Sequence, residues 1–132
     1  MDWLEILGWS PEEIDDLRHA AYSYIRQGIY DIPLTFLDAI AVVGSQVPYD
    51  LQTMGALHLQ LGNGLKALDL LDRSLKAEPE HLTTQLNRAK ALFMLGYRRQ
   101  GLAQALELEK CEDQEIASQA SALVLAYGNP PR

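Results

Sequence analysis

Residues 58–79 read HLQLGNGLKALDLLDRSLKAEP, and two helix segments with a corner between them are already legible there. Leu65, Leu68, Leu71 and Leu75 recur at spacings of three and four, the mark of one apolar helical stripe. That run stops at Ala77, before Glu78 and Pro79, because a residue preceding proline is pushed out of the helical region. Just ahead of it, Gly62 closes an earlier stripe of Leu51, Met54, Gly55, His58 and Leu59. A glycine past the last periodic position suits a left-handed helix end, where a Cβ would cost strain. The Gly-Asn-Gly at 62–64 follows no strand and carries no Lys-Ser/Thr pair, so it is a helix-to-helix turn and not a phosphate loop.

The same event recurs 34 residues away in both directions, at Gly28 and Gly96. Gly28 follows Ile14, Leu17, Ala20, Ala21, Tyr24 and Ile25; Gly96 follows Leu86, Ala89, Leu92 and Phe93. A second stripe comes after each, over Leu34, Leu37, Ile40 and Ala41 and over Leu102, Ala105, Leu106 and Leu108. The first helix begins near Pro11, with Ser10 as N-cap, Glu13 completing a capping box, and Trp9 and Ile14 placed as a hydrophobic staple. Pro33 is tolerable only in a first turn, so its helix starts at Asp31 or Ile32. With a last helix over about 114–127, seven helices of about 12 to 17 residues result, joined by short turns that make antiparallel neighbours. No segment sustains period-two alternation, and β-branched residues are sparse outside AVVGSQV at 41–47, so strands have no support. The expected class is all-α.

The length of 132 residues fits one domain with a core of its own. Hydrophobic residues at 48% and charged residues at 22% place the chain in the globular class. A net charge of −7 with only 11 scattered Lys and Arg argues against nucleic acid, which needs clustered cations. Cys111 is the single cysteine and excludes an internal disulfide framework. The start MDWLEILGW has no basic leader and does not read as a signal peptide, and no apolar run reaches the roughly 18 residues of a membrane span. The reading is a cytoplasmic protein without a membrane span.

A helix-turn-helix unit of this period resembles the tetratricopeptide repeat. The best match is 48–81, with Leu51, Met54-Gly55, His58, Ala67, Leu71 and Pro79 at the repeat's marked positions. Here Gly55 and Ala67 let the two helices of a pair approach closely. The repeat at 14–47 offers Leu17, Ala20-Ala21, Tyr24 and Leu37, with Pro33 at the Ala position and Ser45 at the Pro position. The repeat at 82–115 offers Ala89, Leu92 and Gly101, with Gln85 and Arg88 where apolar residues are expected. The resemblance implies three tetratricopeptide-like repeats in a right-handed superhelix, preceded by a segment over 1–10 and closed by a cap helix over 114–127. Such a cap needs a polar outer face, and Glu115, Ser118, Gln119 and Ser121 are set against Ile116, Ala120, Leu123, Val124 and Tyr127.

The resemblance also implies that the first helix of each pair lines a concave wall. Carried onto this chain, one ligand-facing row is Ile25, Leu59 and Phe93 and another is Tyr22, Ala56 and Lys90, joined by Arg26, Tyr49, Gln52 and Leu86. This implies a largely apolar groove suited to an amphipathic helix or an extended peptide. A small acidic three-repeat protein is similar to the tetratricopeptide chaperones of bacterial type III secretion, which contribute to virulence and protein transport. One branch holds the needle subunit, with help from a small helical co-chaperone, and prevents premature polymerisation; another holds translocator proteins. The size favours the needle branch. The alternative is a general scaffold that binds a charged peptide terminus through Arg18, Arg26 and Lys90. Trp3, Leu4, Leu7 and Trp9 form a candidate second interface that docks, dimerises or receives a co-chaperone.

No catalytic or metal site is expected, and no cofactor. His19, His58 and His81 lack a second His or Cys at helical spacing. Cys111 has no connected base and reads as a small hydrophobe. Glu12, Glu13, Asp15 and Asp16 sit in a first helical turn, where the macrodipole favours them. Nothing supports an enzyme.

Overall fold

The computed structural model describes residues 8–44 and 46–128. Among them are seven α-helices and no strand: α1 (Pro11–Arg26), α2 (Asp31–Val42), α3 (Pro48–Gln60), α4 (Gly64–Ala77), α5 (Leu82–Met94), α6 (Arg98–Leu108) and α7 (Gln114–Tyr127). Ser10 caps α1 by accepting the Glu13 backbone N–H at 3.1 Å. The Glu13 carboxylate accepts in turn from the Ser10 hydroxyl at 3.4 Å, where the capping-box reading expected a bond to the Ser10 backbone. Because α2 begins at Asp31, Pro33 falls within its first turn, where its missing N–H breaks no helical bond.

Gly28, Gly62 and Gly96 have φ of +78°, +82° and +84° and end α1, α3 and α5 in one geometry. The residue after each glycine donates its N–H back to the end of the helix, Ile29 to Tyr24 at 3.0 Å, Asn63 to His58 at 2.8 Å and Tyr97 to Leu92 at 2.8 Å. Each glycine donates to the carbonyl that follows the acceptor, which completes a Schellman end three times over. Sequential helices pack on one another, and α3 also packs on α5 and α5 on α7. His58 lies beside the α3–α4 corner with Nδ1 3.2 Å from the Asn63 amide. Burial, and then the charge of Lys66, lowers its pKa.

A first apolar cluster joins α1 to α4 through Ile14, Ala21, Leu37, Ile40, Leu57 and Leu70. Others join α3, α4 and α5 through Leu59, Leu71 and Ala91, and α5, α6 and α7 through Leu86, Leu108, Ile116 and Ala120. Small residues set the spacing within pairs. A Cβ on Gly55 would lie 2.6 Å from Leu71 Cδ2, and one on Gly101 would lie 2.7 Å from the Phe93 ring.

Two polar ties supplement the core. Asp50, in the first turn of α3, is fully buried and accepts from Arg18 of α1 through Nε at 3.0 Å and Nη2 at 2.9 Å, and from the Val47 backbone N–H at 3.1 Å. Arg88, read from sequence as an interruption of the third repeat, bridges α4 to α6 by donating to Asp72 Oδ1 at 2.6 Å and Gln104 Oε1 at 3.0 Å. Gln85 donates to the Pro79 carbonyl. A long amphipathic side chain thus does at 88 what an apolar knob does elsewhere.

Two stability measurements test this packing. Arg18→Leu leaves a buried carboxylate uncompensated and is expected to cost about 3–5 kcal/mol in denaturant unfolding. Gly55→Ala forces the enclosed Leu71 to shift, about 1–3 kcal/mol, against a helix-propensity gain of about 1 kcal/mol, so a lower Tm is expected.

Candidate functional site

Helices α3, α5 and α7 each present one face to a common recess of about 380 Å³. Ala56, Leu59 and Gln60 reach it from α3; Asn87, Lys90, Phe93 and Met94 from α5; Leu123 and Tyr127 from α7. Its apolar floor is fixed by stacking. The Phe93 and Tyr127 rings lie 4.2 Å apart at 6°, and α6 backs the Phe93 ring with Gly101. Offset or parallel aromatic contacts of this kind add about 0.5–1.5 kcal/mol beyond area burial. The polar side is Asn87, Gln60 and Lys90, whose Nζ donates to Gln119 Oε1 at 3.3 Å. A second recess of about 350 Å³ shares Asn87 and Lys90 and adds Leu86 and Thr83 with Asp113, Glu115, Ile116 and Gln119. The lining is therefore mixed where the sequence suggested a largely apolar groove.

Of the ten residues assigned to the groove, Ala56, Leu59, Lys90 and Phe93 meet at the larger recess. Leu59 and Phe93 are also core residues, with only their edges reaching the recess. Leu86 is buried against Leu108 and Ile116 and touches the smaller recess. Gln52 is buried and donates to Glu78 Oε2 at 3.0 Å. Neither recess includes Tyr22, Ile25, Arg26 or Tyr49. Tyr22 and Tyr49 meet edge to face at 5.9 Å, and burial, then Tyr49 and Asp50, pushes the Tyr22 hydroxyl pKa up. Ile25 packs on the first core cluster, and Arg26 is exposed at the end of α1.

Arg18, grouped from sequence with Arg26 and Lys90 as a site for a charged peptide terminus, is instead held by Asp50 and Asp15. Its partner Asp50 lies 32 residues away, beyond any local sequence signal. Trp9 is half-buried on the first cluster, while Trp3, Leu4 and Leu7 lie outside the described residues.

The outer face expected for α7 also changes. Ser121 donates to Glu109 at 2.8 Å and Gln119 holds Lys90, so both turn inward. The exposed strip runs through Glu115, Ser118, Ala122 and Leu125. Helical spacing alone grouped these serines and glutamines as outward, whereas their bonds to α6 and α5 decide the rotation.

Gln60, Asn87, Met94, Leu123 and Tyr127 are the lining residues the sequence reading did not assign to the groove, and for Tyr127 it could have done so. A signal existed: the step of 34 through Ile25, Leu59 and Phe93 lands next on Tyr127. Seen so, α7 continues the row and does more than close it. The chain matches no protein-family model and no curated protein.

Removing the stack tests this arrangement. Tyr127→Ala is expected to lower stability by about 1–2 kcal/mol in thermal unfolding, whereas Leu125→Ala, at a side chain 78% exposed, changes it by less than about 0.5 kcal/mol.

Proposed function

We propose that this protein is a binding protein and not an enzyme, a tetratricopeptide-like chaperone that holds an amphipathic helix of a type III secretion needle subunit. In this reading the helix pairs coil as a right-handed superhelix, and the recess between α3, α5 and α7 lies on its concave wall. The single observation that carries the proposal is that recess, built from residues one repeat apart: Leu59, Phe93 and Tyr127. Its size stands at the small end of the about 300–1,000 Å³ range of ligand pockets, suited to apolar side-chain knobs from a helix lying across it. Asn87 and Lys90 supply polar partners beside that apolar floor.

The physical task would be to cover helix surface through which a subunit polymerises, in the bacterial cytoplasm, before export. A small helical co-chaperone would complete the complex. The translocator branch differs in cargo, an extended segment in place of a helix, and the general scaffold differs in needing a charged terminus.

Co-expression with a candidate needle subunit distinguishes these. Leu59 and Phe93 carry the core as well as the recess, so the informative substitutions are Ala56→Glu and Lys90→Glu, at half-buried positions. Co-elution of the pair is expected, with Ala56→Glu weakening it by about 2 kcal/mol, roughly thirtyfold, while circular dichroism stays unchanged. Separate elution, or full binding by the Ala56→Glu variant, rejects the proposal.

A further inference from the structure

The connections 27–30, 61–63 and 95–97 put the ends of α1, α3 and α5 and the starts of α2, α4 and α6 on one edge of the molecule. The α3–α4 corner abuts the α5–α6 corner, since a Cβ on Gly64 would lie 3.1 Å from Met94 Sδ. The end of α7 joins them through the bond from Arg98 Nε to the Tyr127 carbonyl. This edge is unusually apolar for a surface. Leu61, Leu65, Met94, Tyr97 and Tyr127 are 42%, 70%, 46%, 48% and 41% exposed.

It is also basic on a chain whose net charge is −7. Arg26 ends α1, Lys66 lies in the first turn of α4, and Arg98 and Arg99 open α6. Among the described residues none of the four makes an ion pair. Asp31, at the start of α2, and Asp69, which lines a recess with Leu65 and Lys66, are acids on this edge, and the cations outnumber them. Cations in a first turn oppose the helix macrodipole, so helix stability does not account for Lys66, Arg98 or Arg99. Acids gather at the opposite edge, including Glu12, Glu13, Glu78, Glu80, Glu112 and Asp113.

We propose that this apolar, basic edge is a second interaction surface, for an acidic amphipathic segment of a partner protein that sets Asp or Glu three to four residues from Leu, Ile or Phe. Charge complementarity selects this occupant. An anionic bilayer is an extended field, and the remaining charge of the chain would be repelled by it. A second copy would have to present its acidic edge, where Val42, Val47 and Tyr49 are exposed, in a head-to-tail contact that builds rings or filaments, which sedimentation reads.

The probe is a fluorescein-labelled helical peptide of Leu and Glu at heptad spacing, with a Gln-for-Glu peptide as control, titrated into the full chain by anisotropy. Lys66→Glu/Arg99→Glu and, separately, Leu65→Ser touch this edge and not the recess; Lys90→Glu touches the recess and not this edge. The Glu peptide is expected to bind, to lose about tenfold in affinity with either edge variant and severalfold between about 50 and about 500 mM salt, and to ignore Lys90→Glu. No binding, equal binding of the Gln peptide, or loss with Lys90→Glu instead of the edge variants overturns the proposal. So does tighter binding to phosphatidylserine vesicles, or self-association in sedimentation that the edge variants abolish. Met94 and Tyr127 border both surfaces, so the two proposals are separated by variants confined to one of them: Leu65, Lys66 and Arg99 here, Ala56 and Lys90 in the needle-subunit experiment.

Discussion

A backbone turn that only glycine makes cheaply recurs at 34-residue spacing among the described residues, and Gly44, at φ +79°, follows α2 in the same left-handed region. At Gly28, Gly62 and Gly96 the chain enters the left-handed region, and the next N–H bonds back onto the helix just ended. Open space surrounds the Cβ position at all three glycines, so their requirement is conformational and not steric. The corners at Gly62 and Gly96 end α3 and α5 alike, and residues of these two helices and of α7 face one recess.

What the corners align, side chains then hold. Gly55 and Gly101 allow close contact within the pairs α3–α4 and α5–α6. Between pairs the chain uses polar ties, Arg18 to a buried Asp50 and Arg88 to Asp72, and Arg88 also bonds Gln104 within its own pair. Their strengths differ because burial differs. Asp50 is shielded from water and depends on its partners, whereas the Arg88 bridge is solvated on both sides and works mainly through the packing of its stem. The Phe93–Tyr127 stack lets α7 complete the recess while its outer strip stays exposed.

Much of the helix plan was legible because its signals are local. Ser10, Pro33, Gly62 and Pro79 act on backbone within about one helical turn, and apolar spacing gives the buried side. The site was legible in part. Stepping by 34 placed Ala56, Leu59, Lys90 and Phe93 at one recess, and one further step would have added Tyr127. The step failed for Tyr22 and Ile25: Tyr22 meets the Tyr49 ring and Ile25 packs on the first cluster, and neither lines either of the two recesses described.

The sequence by itself determined an all-helical chain, the limits of its helices and the period of its corners, because caps, prolines and glycines bias φ and ψ within a few residues. Only the tertiary structure decided which charges are available and which apolar groups stay outside. Arg18 is held by a carboxylate 32 residues away, Ser121 and Gln119 turn inward to partners on other helices, and Leu65, Tyr97 and Leu125 remain exposed. Such outcomes depend on how neighbouring helices rotate against one another, and no window of sequence contains both partners.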